Sequence, residues 1–210
     1  MTEAEWLACD DPTPMLEFLR GKVGDRKLRL FAVAVCRRGR SILRSKVTRS
    51  ALDALEAYAD GLIDRRTMEQ RRAVWYQRFD YPFPISGTWN SALAQATITG
   101  AKVWASEAAA NAVAASGMPQ KERVQQARFL KEITGNPFRP IAIDPQWLTS
   151  DVLALARGIY EDRAFDRMPI LGDALQDAGC ENADILDHCR DPNGVHVRGC
   201  WVVDCVLGLS

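Results

Sequence analysis

Apolar residues recur at intervals of three and four along most of this chain, the period of a helix with one buried face. In "DRKLRLFAVAVCRRGRSILRS", opened by Asp25, the positions Leu28, Phe31, Ala32, Val35, Cys36, Ile42 and Leu43 make one stripe. Arg29, Arg37, Arg40 and Arg44 fall on the other faces, so the pattern predicts one helix from Asp25 to Ser45. Next comes "SALDALEAYADG", with Ser50 as cap and Gly61 as stop, and then "DRRTMEQRRAVWYQRF". Thr88 to Ser116 reads as a long helix with eleven alanines, in which Gly100 is a weak point or a tight crossing. A further helix runs from Pro119 to a stop at Gly135, and its sparse apolar spacing places it on the surface.

Two stretches break the helical period. "DYPFPISG" is a loop, because two prolines and a glycine forbid a regular element. "NPFRPIAIDP", from Asn136 to Pro145, is a stiff connector laid along the helical body as a strap through Phe138, Ile141 and Ile143. Beyond it, Thr149 or Ser150 caps one helix, Asp166 caps a second that stops at Gly179, and Asn182 caps a third. A turn at Asp191 to Gly194 leads into "VHVRGCWVVDCVLGLS". That run is apolar all round, which period alone does not assign to helix or strand. We read it as a core helix, since every other element is helical.

The expected fold is therefore all-α: an irregular multi-helix bundle with a proline-rich connector. The connector divides it into a helical body, residues 1–135, and a C-terminal helical region, 136–210, packed on it as a second part or as one domain with it. A length of 210 residues, with 47% hydrophobic and 26% charged, suits a globular chain with a core. No run approaches the eighteen apolar residues of a membrane span. The acidic opening "MTEAEWLACDDPTP" lacks the basic-then-apolar order of a signal peptide, which points to the cytoplasm and to reduced cysteines.

Net charge is zero, but its distribution is uneven. Lys22 to Arg49 holds ten Lys or Arg against Asp25 alone, and Asp144 to the end holds twelve acids against five arginines. The simplest use of this asymmetry is pairing within the chain or between subunits. Phosphate contact through Arg37, Arg38, Arg40 and Arg44, as in a nucleic-acid-associated regulator using segment 22–49, is the sharper alternative. The strip lacks interleaved aromatics for base stacking and any recognised reading motif.

Both termini resemble a known group. "MTEAEWLACDDPTPMLEFLRGKVGDRKLRLFAVAVCRR" and the blocks "WLTSDVLALARGIYEDRAFDRMPILGDALQDAGC", "DILDHCR" and "HVRGCWVVD" are similar to a family of uncharacterised bacterial proteins abundant in planctomycetes. The stretch around Gly172-Asp173-Ala174-Leu175 is also similar to a short helical repeat-companion domain found beside leucine-rich repeats, whose pattern there is Ala-Asp-Trp-Leu. The resemblance implies a helical fold and an intracellular location, and it implies no activity.

The densest chemistry lies near the end. Cys180, His188, Cys189, His196 and Cys200 give the spacing C-x7-H-C-x6-H-x3-C. Were the last segment helical, His196 and Cys200 would share a face at i and i+4, with Cys189 and Cys180 completing a zinc tetrahedron and His188 as an alternative ligand. Against this, the spacing matches no named zinc module, and free cysteine packs readily as a small hydrophobe. A thiol nucleophile, Cys189 or Cys200 beside His196, would also need an oxyanion hole that no local motif supplies. Glycine-rich phosphate loops are absent, and no cofactor follows from the sequence apart from this zinc alternative. The favoured reading is a non-enzymatic protein–protein interaction module, with Arg157, Arg163 and Arg167 as rim contacts for a protein partner. A structural zinc protein is the alternative.

Overall fold

A computed structural model describes residues 1–79, 88–96 and 104–209. Among them are twelve α-helices, three short 3-10 turns and no strand, which makes the fold all-α. No helix among the described residues is long and apolar enough to cross a membrane. The chain divides into two compact units, Met1–Leu130 and Lys131–Ser210.

The first unit contains α1 (Glu3–Ala8), α2 (Pro12–Leu19), α3 (Asp25–Cys36), α4 (Lys46–Ala59), α5 (Arg65–Phe79), α6 (Trp89–Ala96), α7 (Trp104–Ala115) and most of α8 (Pro119–Thr134). Its centre is α3, which packs against α4, α6 and α7. From Leu28 to Cys36 every residue of α3 is buried, so the helix is enclosed all round rather than along one stripe. Even Arg29 is buried, with its guanidinium over the Tyr58 ring at 4.9 Å. Burial pulls the pKa of that arginine down.

Several expectations need correction. The helix from Asp25 ends at Cys36, not Ser45, and the chain leaves it in a turn closed by Gly39 N–H on the Cys36 carbonyl at 3.0 Å. Ile42 to Arg44 then form a separate 3-10 turn. The cap of α4 is Ser45 rather than Ser50: its hydroxyl accepts from Thr48 N–H at 3.3 Å. The Thr48 hydroxyl in turn accepts from the buried Trp75 indole of α5 at 3.2 Å. In place of one helix from Thr88 to Ser116, α6 and α7 pack against each other, which a single continuous helix cannot do. Gly100 and the loop at 80–87 lie outside the described residues. Finally, α8 is not a surface helix. It buries Ala127, Phe129, Leu130 and Ile133 together with Glu122, Gln126 and Glu132, whose polar groups break the apolar spacing without leaving the interior.

The first unit uses its basic segment internally. Arg26 pairs with Asp60 at 2.9 Å, Arg37 with Glu56 at 2.9 Å and Asp53 at 2.8 Å, and Arg38 with Glu122 at 2.7 Å.

The second unit begins with the last turn of α8. Gly135 ends that helix in the left-handed region at φ 65°, as its position predicted. The connector follows, and its Ile141 and Ile143 pack against the unit's core while Phe138 stays exposed. Then come α9 (Ser150–Asp162), α10 (Met168–Asp177), α11 (Ala183–Arg190) and α12 (Trp201–Leu207). Thr149 caps α9 and Asn182 caps α11. Asp166 caps nothing: it sits inside a 3-10 turn, Phe165–Arg167, that runs directly into α10. α9 packs on α10 and α12, and α11 on α10 and α12, around Ile159, Leu171, Leu175, Ile185 and Val203.

The tail is helical only from Trp201. His196 lies in an irregular stretch, and a turn with Gly199 at φ 94° brings Cys200 N–H onto the Val197 carbonyl at 3.0 Å. Helical geometry over His196–Cys200 is thus replaced by a turn. Two successive residues after Val197, Arg198 and Gly199, are spent reversing the chain before α12 can start.

Candidate metal centre

Four side chains of the second unit converge. Glu132 comes from the last turn of α8, His188 from the last turn of α11, His196 from the stretch after the Asp191 turn, and Cys200 from the residue before α12. One ligand atom from each lies within 4.8 Å of all the others. Among the described residues this is the one group of histidine, cysteine and carboxylate that close.

The contacts are specific. His188 Nε2 is 3.2 Å from Cys200 Sγ and 3.3 Å from Glu132 Oε2. His196 Nδ1 is 3.1 Å from Glu132 Oε1. The two imidazole rings meet edge to face, with centroids 5.0 Å apart. On its other side His188 Nδ1 accepts the Trp201 indole N–H at 3.2 Å. The His196 ring rests over Gly194, where an added Cβ would come within 2.7 Å of Nε2. That glycine therefore admits the ring and turns Nδ1 toward Glu132.

The centre is shielded from water. Side-chain exposure is 5% for Glu132, 8% for His196 and 18% for His188, and Cys200 is fully buried. Burial lowers the pKa of His188, with the Glu132 charge opposing, so the buried setting favours the neutral ring. Burial, and then the Glu132 charge, hold the Cys200 thiol well above its ordinary range. Cys189 is likewise pushed up to about 12, first by burial. Nucleophilic catalysis needs the opposite shift, toward thiolate, so neither cysteine has the electrostatics of an activated nucleophile.

Of the residues anticipated as zinc ligands, the structure brings together His196, Cys200 and the alternative ligand His188, and adds Glu132, which was not anticipated. Cys180 and Cys189 lie outside the group, as buried members of the core cluster. The physical reason is the face they occupy. Cys189 points inward with Ile185 and Leu186, where a thiol fills core volume, whereas His188, one position earlier, stands at the core's edge. Glu132 is fifty-six positions before His188, beyond any local spacing rule. Its signal was a carboxylate flanked by Phe129 and Ile133 on the buried side of α8. Arg157, Arg163 and Arg167 are exposed on and after α9. Of the basic strip, Arg37 and Arg38 are committed to ion pairs, while Arg40 and Arg44 are exposed.

No family model, curated protein or solved structure matches this chain.

Proposed function

We propose that the second unit is a zinc-binding module in which Glu132, His188, His196 and Cys200 clasp one ion as a structural centre. The observation that carries this reading is the spacing of the four donors. Zinc bonds of 2.0–2.3 Å in a tetrahedron set donor-to-donor edges of about 3.3–3.8 Å. The four donor atoms, one from each residue, stand within 4.8 Å of one another, with His188 Nε2 already 3.2 Å from Cys200 Sγ and His196 Nδ1 3.1 Å from Glu132 Oε1, so an ion need only draw the wider pairs in to reach such edges.

Charge supports the same reading. A carboxylate and a thiolate bring two negative charges, and two neutral imidazoles bring none, so a dication leaves the buried centre neutral. Without an ion the same groups form a buried polar network, which is costly wherever it is incompletely paired. A donor set of one sulfur, two nitrogens and one oxygen suits zinc better than magnesium or calcium, which take oxygen alone. Four protein donors fill the tetrahedron and leave no open position, the mark of a structural rather than a catalytic centre. The ion would tie the end of α8 to α11 and to the start of α12, a rigid scaffold suited to presenting a surface to a protein partner.

Metal analysis of the purified chain, stripped with chelator and dialysed against zinc, tests the proposal. One equivalent should be retained. Glu132→Gln and Cys200→Ala should each lower it, while Cys9→Ser, remote in sequence and in the first unit, should not. No stoichiometric zinc on the wild-type chain removes the reading.

A further inference from the structure

The hydrogen bond from Trp201 to His188 conflicts with ligation at this centre as it stands. Trp201 Nε1 can only donate, so His188 Nδ1 must present a lone pair at 3.2 Å. The neutral ring then carries its proton on Nε2, the atom that faces Glu132 Oε2 and Cys200 Sγ. A metal ligated by that Nε2 needs the reverse, with the lone pair on Nε2 and the proton on Nδ1. Two N–H groups would then face each other across the same gap.

Resting on the zinc reading, we infer that metal binding breaks the Trp201–His188 hydrogen bond, which makes Trp201 a built-in brake on ligation and a switch between metal-free and metal-bound forms of α12. The proton inventory closes. The Nε2 proton of His188 leaves and one is taken up at Nδ1 through solvent, so the ring stays neutral. The Cys200 thiol loses its proton to solvent, and the ion takes the vacated lone pairs of nitrogen and sulfur.

Geometry makes the indole the part that moves. His188 is fixed by the capped helix α11 and by its contact with Glu132. Trp201 is half-buried and opens α12 immediately after the ligand Cys200, so a shift of the indole is felt at the first turn of that helix. Its inner face lies on the backbone of Gly135, where an added Cβ would meet Cγ at 3.2 Å. The indole therefore has a wall on that side and must swing away from it.

The test uses the full chain and zinc itself, with two readouts. The first is metal stoichiometry and affinity by competition with a chromogenic chelator. The second is the indole N–H resonance of Trp201 in the wild-type protein, assigned by its loss in Trp201→Phe. We expect that resonance to move on zinc binding, away from a hydrogen-bonded position. Trp201→Phe, which has no donor to oppose Nδ1–H, should bind zinc roughly five- to tenfold more tightly, the weight of one ordinary hydrogen bond. A residue that merely supports the site would show the opposite sign. Stoichiometric zinc binding with an unmoved Trp201 indole overturns the switch and leaves the zinc centre standing, whatever the variant does. Failure of the wild-type chain to hold zinc removes both.

Discussion

Six cysteines share one chain, and burial alone sorts their chemistry. Cys36, Cys180, Cys189 and Cys200 are buried, and Cys9 and Cys205 are half-buried. In native protein a thiol reagent should modify Cys9 and Cys205 within the first phase and reach the other four only when the chain opens. Mass-spectrometric mapping of the modified sites checks this, and early labelling of Cys36 would contradict it. Cys36 also fixes a pH limb. Burial pushes its thiol from the ordinary 9.0 up to about 12. Because the folded value is the higher one, the stability this neutral thiol contributes is fully present below about pH 9. It is lost as pH climbs toward about 12, where the unfolded chain has already released the proton. Chemical unfolding between pH 7 and 11 should show the decline, and Cys36→Ala should make it shallower, leaving the share of the likewise raised Cys189 and Cys200, while costing about 1–2 kcal/mol at neutral pH through lost packing.

Glycines show at the element scale what a sequence does and does not disclose. Gly172 lies within α10, where a Cβ would come within 2.9 Å of the Cys189 Cβ on α11. Alanine there gains about 1 kcal/mol of helix propensity, but the overpacking costs about 1–3 kcal/mol against a side chain with no flexible end to yield. Gly172→Ala should therefore lower the melting temperature. Gly158 sits within α9 with nothing in 4 Å of the same added carbon. Gly158→Ala should stabilise by up to about 1 kcal/mol, since only the propensity gain acts. Thermal melts of the two variants side by side decide it, and equal effects would mean that the α10–α11 contact is looser than described. Both glycines look alike in the sequence. What was legible were signals carried by neighbours in the chain: the caps Thr149 and Asn182, and the stops Gly61, Gly135 and Gly179. What was missed depended on partners far away in sequence. Examples are α3 enclosed from all sides, the α6–α7 packing, and Glu132 facing inward from α8. The local geometry of the zinc ligands was hidden for a related reason. The spacing argument assumed one helix over His196 to Cys200, and the chain reaches the same convergence through a turn at Gly199.

The division of the whole molecule into Met1–Leu130 and Lys131–Ser210 decides where metal should be felt. Glu132, His188, His196 and Cys200 all belong to the second unit. That unit has its own core, formed by residues such as Ile159, Leu171, Ile185 and Val203. A ligand that binds only the folded form stabilises it by mass action, about 4 kcal/mol at a free concentration a thousandfold above its dissociation constant. The gain acts on openings that destroy the site and leaves untouched those that spare it. Amide exchange should thus slow on adding zinc in α11, in α12 and at the end of α8, where the donors are anchored. The amides of α3 and α4, whose openings need not disturb any donor, should exchange at the same rate with zinc and with chelator. Mass-spectrometric exchange on peptides covering 25–59 and 183–207 makes the comparison within one sample. If zinc slows both segments equally, the units open together and the stabilisation is not local. If it slows neither, the four donors are a buried polar network and not a metal clasp.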